Sequence, residues 1–290
     1  MSETSIEPRR LWPIISIALL IVWLYSSILA SLAQQWFKDP NFSHGIFVPC
    51  FAFFVLWQDR AKLFGLAAIP SNLGLALIVF GLLTLIVGAL GAELFLSRLS
   101  LLVVLAGLVV FFLGWRYLWA VAFPLAVLVL MIPIPSIIFN QITFPLQVLA
   151  SKVATAVLPL AGVPVLREGN IINLPAMPLE VAQACSGIRS LLSLTTLAII
   201  YGYLMESRIA IRIVLALASV PIAVAANSLR IVGTGLLVQY WDPDKAEGFF
   251  HAFSGWLIFV LSLGMLYGLH RLLREPKLNT SKTETAGARP

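Results

Sequence analysis

The sequence predicts an all-α, polytopic membrane protein. Two observations lead there. First, 60% of the 290 residues are hydrophobic and only 11% are charged, with a mean hydropathy of +0.97; a soluble chain of this length has no interior large enough for that much apolar surface. Second, the apolar residues gather into separate runs, several of them near the roughly 20 residues needed to cross a bilayer as a helix.

The runs come in order. Leu11–Ala33 is preceded by Arg9 and Arg10; it is too long for a signal-peptide core and lacks a small-residue cleavage site, so it reads as a retained span. Ile46–Trp57 is short and spans only if its flanks are counted. Leu73–Ala92 is third, and Leu99–Leu113 is fourth, extended at both ends. GWRY makes a tight turn, and Leu118 to about Ile138 is fifth. The pattern then breaks over 135–184. Within that break, Gln147–Leu160 has an apolar face and suits a short helix along the membrane interface. The stretch VPVLREGNIINLPAMPLEVAQAC alternates and carries the turn pair Gly169–Asn170, which suggests a β-hairpin-like segment. Ile188–Met205, Ile213–Val238 and Leu257–Leu269, the last beginning near Phe250, complete about eight spans. The chain thus reads as a cytoplasmic N-terminus (1–10), one transmembrane domain (11–272) and a polar cytoplasmic tail (273–290) expected to be disordered.

Eight spans put both termini on one side. That side carries Arg9, Arg10, Arg60, Lys62, Arg116, Arg208, Arg212, Arg271, Arg274 and Lys277, against Lys38, Arg98, Lys152, Arg167 and Lys245 on the other. Lysine and arginine favour the cytoplasm, so the termini are expected inside and 135–184 outside. The net charge of +6 follows from this scatter; no basic stripe marks a nucleic-acid partner. Two cysteines exclude a disulfide framework. HExxH, P-loop and GxSxG signatures are missing, and neither a metal nor an organic cofactor is expected.

Three polar residues stand out. Cys185, in VAQACSGIRSLLSL, opens the sixth span at its outer end, where a helix N-terminus and a nearby cation favour the thiolate. Arg189, one turn on, is one such cation, or else snorkels to the interface. Arg230 falls in the outer half of the seventh span, where a lone arginine costs roughly 2.5–3.5 kcal/mol on insertion scales; Asn227, three residues earlier, is placed to orient it. His251 begins the eighth span. The ordinary readings are a small apolar cysteine, a headgroup arginine and an interfacial histidine, and Cys50 suits the first. The topology, however, brings Cys185, Arg230 and His251 to one face from three helices. Together they supply acyl transfer: a thiolate nucleophile, a cation for the oxyanion and a proton donor for the leaving amine. Asp39, Ser43 and His44, at the outer end of the second span, either line the same cleft or form an ordinary Pro-containing loop. Ser186, beside the cysteine, is the weaker nucleophile.

At these residues the chain resembles the exosortase and archaeosortase family. ACSGIRSL (184–191), NSLRIVGTGLL (227–237), HAFSGW (251–256) and DPNFSHGIFVP (39–49) carry the resemblance, which runs over roughly residues 10–272. It implies a bacterial inner-membrane cysteine protease and transpeptidase. Its substrates would be exported proteins ending in a Pro-Glu-Pro-type motif, a transmembrane helix and a basic cluster, often alongside exopolysaccharide production. The resemblance makes Cys185 the nucleophile, Arg230 the proton donor and His251 the transition-state stabiliser. Physical chemistry alone favours the reverse for the last two, because arginine does not readily give up its proton. The acyl acceptor stays unknown. The competing reading is a non-catalytic channel, carrier or scaffold for polysaccharide export, with Arg230 paired to a substrate anion.

Overall fold

The computed structural model of the protein describes residues 11–181, 187–241 and 249–274. The chain divides into two units, 1–144 and 145–290. In the first, helices α1 (Leu11–Leu24) and α2 (Ser26–Lys38) occupy the first expected span. They do not form one rod: the chain bends by 63° between them. Tyr25, at the bend, is fully buried, with its hydroxyl 3.0 Å from Ser100 Oγ. A tertiary contact, rather than a proline or glycine, fixes the break.

DPNFSHG forms a 3₁₀ helix, Pro40–Ile46, continuous with α3 (Phe47–Gln58). Together they make a 19-residue stretch, Pro40–Gln58, long and apolar enough to cross a membrane. The Pro-containing loop thus supplies the length that the second run lacked. After the short α4 (Arg60–Phe64), α5 (Leu73–Leu90) and α6 (Leu94–Phe112) pack closely. Gly74, Gly81 and Gly88 are buried along α5. A Cβ on Gly81 would lie 2.7 Å from Val104 Cγ2, and one on Gly88 would lie 2.7 Å from the Ser97 backbone nitrogen. Where lipid removes the hydrophobic drive between helices, such close backbone approach is what holds them. Glu93 caps α6, accepting from the Phe95 and Leu96 N–H groups. Arg98, expected in the preceding loop, instead lies buried within α6, donating to Gln35 Oε1 at 2.8 Å.

The fifth expected span, Leu118–Ile138, is not one helix. It breaks into α7 (Trp115–Ala120), α8 (Ala122–Val127) and a 3₁₀ turn, Leu128–Met131. A new helix, α9 (Ser136–Val157), starts after Pro133 and Pro135; prolines remove helical N–H donors and restrict the residues before them. The expected interface helix Gln147–Leu160 is therefore the second half of a longer one, and Ser136–Ala161 as a whole is long and apolar enough to cross a membrane. Among the described residues seven helices meet that standard, or eight if the bent pair counts as one span. The total agrees with about eight spans, although α9 qualifies and Leu118–Ile138 does not. Either choice keeps the same parity for every later segment.

In the second unit, the expected hairpin carries a further strand. β1 (Leu166–Glu168), β2 (Ile171–Asn173) and β3 (Pro178–Glu180) form an antiparallel sheet in that order. Gly169 turns β1 into β2 at φ +64°, a conformation that glycine adopts without steric cost. Ile172 faces a core that includes Leu158, Leu174, Val181, Ile231 and Val232. Helices α10 (Ile188–Met205), α11 (Ile209–Tyr240) and α12 (Phe249–Leu273) follow.

The α10–α11 connection is clamped to the end of α12. Glu206, buried, accepts from the Ser207 and Arg208 N–H groups at 2.9 and 3.0 Å. Its other carboxylate oxygen lies 3.4 Å from His270 Nε2. Tyr201 Oη is 2.6 Å from His270 Nδ1. The Arg208 N–H, with help from His270 and the Arg208 charge, holds the Glu206 carboxyl well below the usual carboxylate range, at about 2. A depressed folded-state pKa contributes stability that is present above the unfolded value and lost as pH falls through the folded one. Glu206→Gln should therefore lower the thermal midpoint at pH 7. The gap from the parent should close between about pH 4.5 and 2, as followed by thermal unfolding of the detergent-solubilised protein. A gap that stayed constant over that window would show that the carboxylate charge contributes nothing.

Candidate active site

The site is built from the N-terminal mouth of α10, residues in the C-terminal half of α11 and the start of α12. Gly187 caps α10 in the left-handed region, φ +79°. A Cβ there would sit 2.8 Å from Asn227 Cγ, so glycine is needed both for the backbone turn and for the close approach. This contact holds the end of the cysteine motif against α11. Cys185 and Ser186 themselves lie outside the described residues.

Asn227 is buried in α11, and Arg230 is one turn further along. Arg230 is half-buried, and its Nε donates to Ser254 Oγ at 3.2 Å. Gly255 lies against the same guanidinium: a Cβ on it would be 3.8 Å from Arg230 Cζ. Ser254 and Gly255 belong to the HAFSGW motif. His251 is one turn before them in α12, and its side chain lies outside the described residues. Segments of the other two motifs thus pack on α11 one turn apart, Gly187 at Asn227 and Ser254 with Gly255 at Arg230. A small cleft beside it is lined by Leu179, Glu180, Val181, Arg230, Ile231 and Thr234, which joins the β-sheet to the same place.

The supporting residues divide. Asn227 touches the mouth of α10, as above. Arg189 is exposed in the first turn of α10, whereas Arg230 is the cation held between motifs. Asp39 and His44 fall in the first unit. There Asp39 Oδ1 accepts from the Asn41 N–H at 2.9 Å, the capping role of an ordinary helix start, and His44 is half-buried. Cys50 is a free, exposed thiol. Sequence reasoning missed Ser254 and Glu180. The signal for Ser254 was present, since it sits inside the quoted HAFSGW; Glu180 is brought in only by the fold.

Residues 36–268 match the family described as transmembrane exosortase. No curated protein and no solved structure matches the chain.

Proposed function

Because the chain belongs to the transmembrane exosortase family, a family of membrane sorting transpeptidases, we propose that it cleaves exported proteins at a C-terminal sorting tail through a thioester on Cys185. The tail comprises a Pro-Glu-Pro-type motif, a membrane helix and a basic cluster. The protein would sit in a bacterial inner membrane with both termini cytoplasmic and the site on the outer face. The observation that supports this reading is that α11 carries the other two motif segments one turn apart, Gly187 against Asn227 and Ser254 with Gly255 against Arg230.

The steps follow from the residue chemistry. The Cys185 thiolate attacks the scissile carbonyl carbon and the carbonyl electron pair moves to oxygen. The Arg230 guanidinium, steadied by Ser254, faces that developing charge. The C–N bond then breaks, its electron pair stays on nitrogen, and His251 supplies the proton. An amine acceptor, or water, then attacks the thioester carbonyl and gives its proton back to His251; the C–S bond breaks and its electron pair returns to sulfur as the Cys185 thiolate. We assign the oxyanion to Arg230 and the proton to His251 because a guanidinium holds its protons at any working pH.

The test is direct. The purified protein is incubated with a tail-bearing peptide, quenched in acid and examined by intact mass. The expected product is an adduct on Cys185, of the mass of the N-terminal fragment, that hydroxylamine removes. A peptide that is cut with no such adduct, and no hydroxamate when hydroxylamine is present throughout, would exclude the thioester route.

A further inference from the structure

We propose that the outer edge of β3 is the docking strand for the substrate, which binds as an added fourth strand along β3, beside the small cleft that Glu180 and Arg230 line. This rests on the processing reaction proposed above and names how its substrate is held.

The hydrogen-bond pattern identifies the edge. The sheet order places β3 on the outside among the described residues. Leu174 N–H donates to Met177 O, and Val181 N–H donates to Asn170 O. Residues 177, 179 and 181 therefore direct their main-chain groups toward β2, and by alternation Pro178 and Glu180 direct theirs away from it. Pro178 has no N–H to offer, as suits an edge strand. Among the described residues of β3, Glu180 thus presents the one complete N–H and C=O pair on that edge. Both Glu180 and the adjoining Leu179 and Val181 line the cleft that contains Arg230 and Thr234. The edge runs directly into the cysteine motif: Val181 is buried, held by the Asn170 main chain and by Asn170 Nδ2 at its carbonyl, and Cys185 is four residues on. Strand addition of this kind draws affinity from main-chain bonds.

A Pro-x-Pro segment suits this edge. In an extended chain, alternate residues point their main-chain groups to opposite edges. The two prolines would turn their missing N–H groups away from the enzyme, and the central residue would present one N–H and one C=O. That is a one-to-one match with Glu180, and it makes the prolines compatible with pairing on one edge only.

The test uses the full-length reconstituted protein and a synthetic peptide carrying Pro-Glu-Pro ahead of an apolar helix. Glu180→Pro removes the edge N–H and leaves the bonds to β2 in place. It should raise KM roughly tenfold, the loss of about one net hydrogen bond, with kcat within about threefold of the parent. Glu180→Ala, which keeps the N–H, should lose less. A second arm leaves the protein unchanged: replacing the amide N–H of the peptide's central Glu with an ester oxygen should raise KM by a similar factor. Combined with Glu180→Pro, it should add less than the product of the two effects. Equal KM for the ester and amide peptides on the parent protein overturns the proposal. So does a Glu180→Pro protein that loses thermal stability while keeping its KM, since β3 would then pair with this chain itself or with another copy. Cleavage that survives Cys185→Ala instead overturns the processing reaction, and the docking role falls with it.

Discussion

Cys185→Ala should abolish cleavage of a tail-bearing substrate while leaving membrane insertion and abundance unchanged. A free thiol with a pKa of roughly 8.5 is only a few per cent thiolate at neutral pH. Gly187, two residues after the cysteine, caps a helix N-terminus and packs against the helix that carries Arg230; a helix end and a cation are the two features that favour a thiolate. Cys185→Ser should fail nearly as completely, because a hydroxyl ionises far less readily than a thiol and His251 is assigned to the leaving amine. Cys50→Ala should process normally, since Cys50 is an exposed thiol in the other unit. Immunoblots that resolve precursor from product in cells provide the readout. Normal processing by the Cys185→Ala protein would leave the transport or scaffold reading standing.

Arg230→Lys should lower kcat by about a hundredfold or more, the usual cost of removing one preorganised oxyanion donor, with a much smaller change in KM. The planar guanidinium donates through Nε to Ser254 and packs flat against Gly255. An ammonium on a flexible stem reproduces neither the fork nor the fit. Ser254→Ala should fall between the lysine variant and the parent, because it frees the arginine without removing its charge. Steady-state kinetics on the reconstituted protein separate these outcomes. A lysine variant with parental kcat would show that charge alone suffices and would return the oxyanion role to other donors.

The candidate site was legible in the sequence because it is written in short motifs, whereas several details of the fold were not. ACSGIRSL, NSLRIVGTGLL and HAFSGW each set an unusual polar residue in an apolar run, and the span order brought them to one face. The Gly169–Asn170 turn was equally visible, since a left-handed residue needs glycine. The third strand was not: Pro178–Glu180 has no turn signal of its own and is defined by pairing with β2. The bend at Tyr25 depends on a partner 75 residues away. The long helix α9 begins at Ser136 and runs through Pro145, whereas the apolar face legible in the sequence marked a helix only from Gln147. Arg98 looked like a loop charge because a buried arginine can be recognised only once Gln35 is known to face it. The Tyr201–His270–Glu206 set is likewise spread over 69 residues.

That clamp has a mechanical side. It fastens α10, α11 and α12 together at one end, and Arg230 lies far along α11 from the fastened end. Between Ile209 and Arg230 the helix rises about 32 Å, at roughly 1.5 Å per residue. With the pivot at Glu206, each degree of tilt among the three rods carries the guanidinium sideways by about half an ångström. The same tilt leaves the pivot almost still. Roughly seven degrees of splay would therefore widen the mouth by the breadth of a methyl group, with no bond broken at the pivot, as the jaws of a pair of tweezers part while their joined end stays closed.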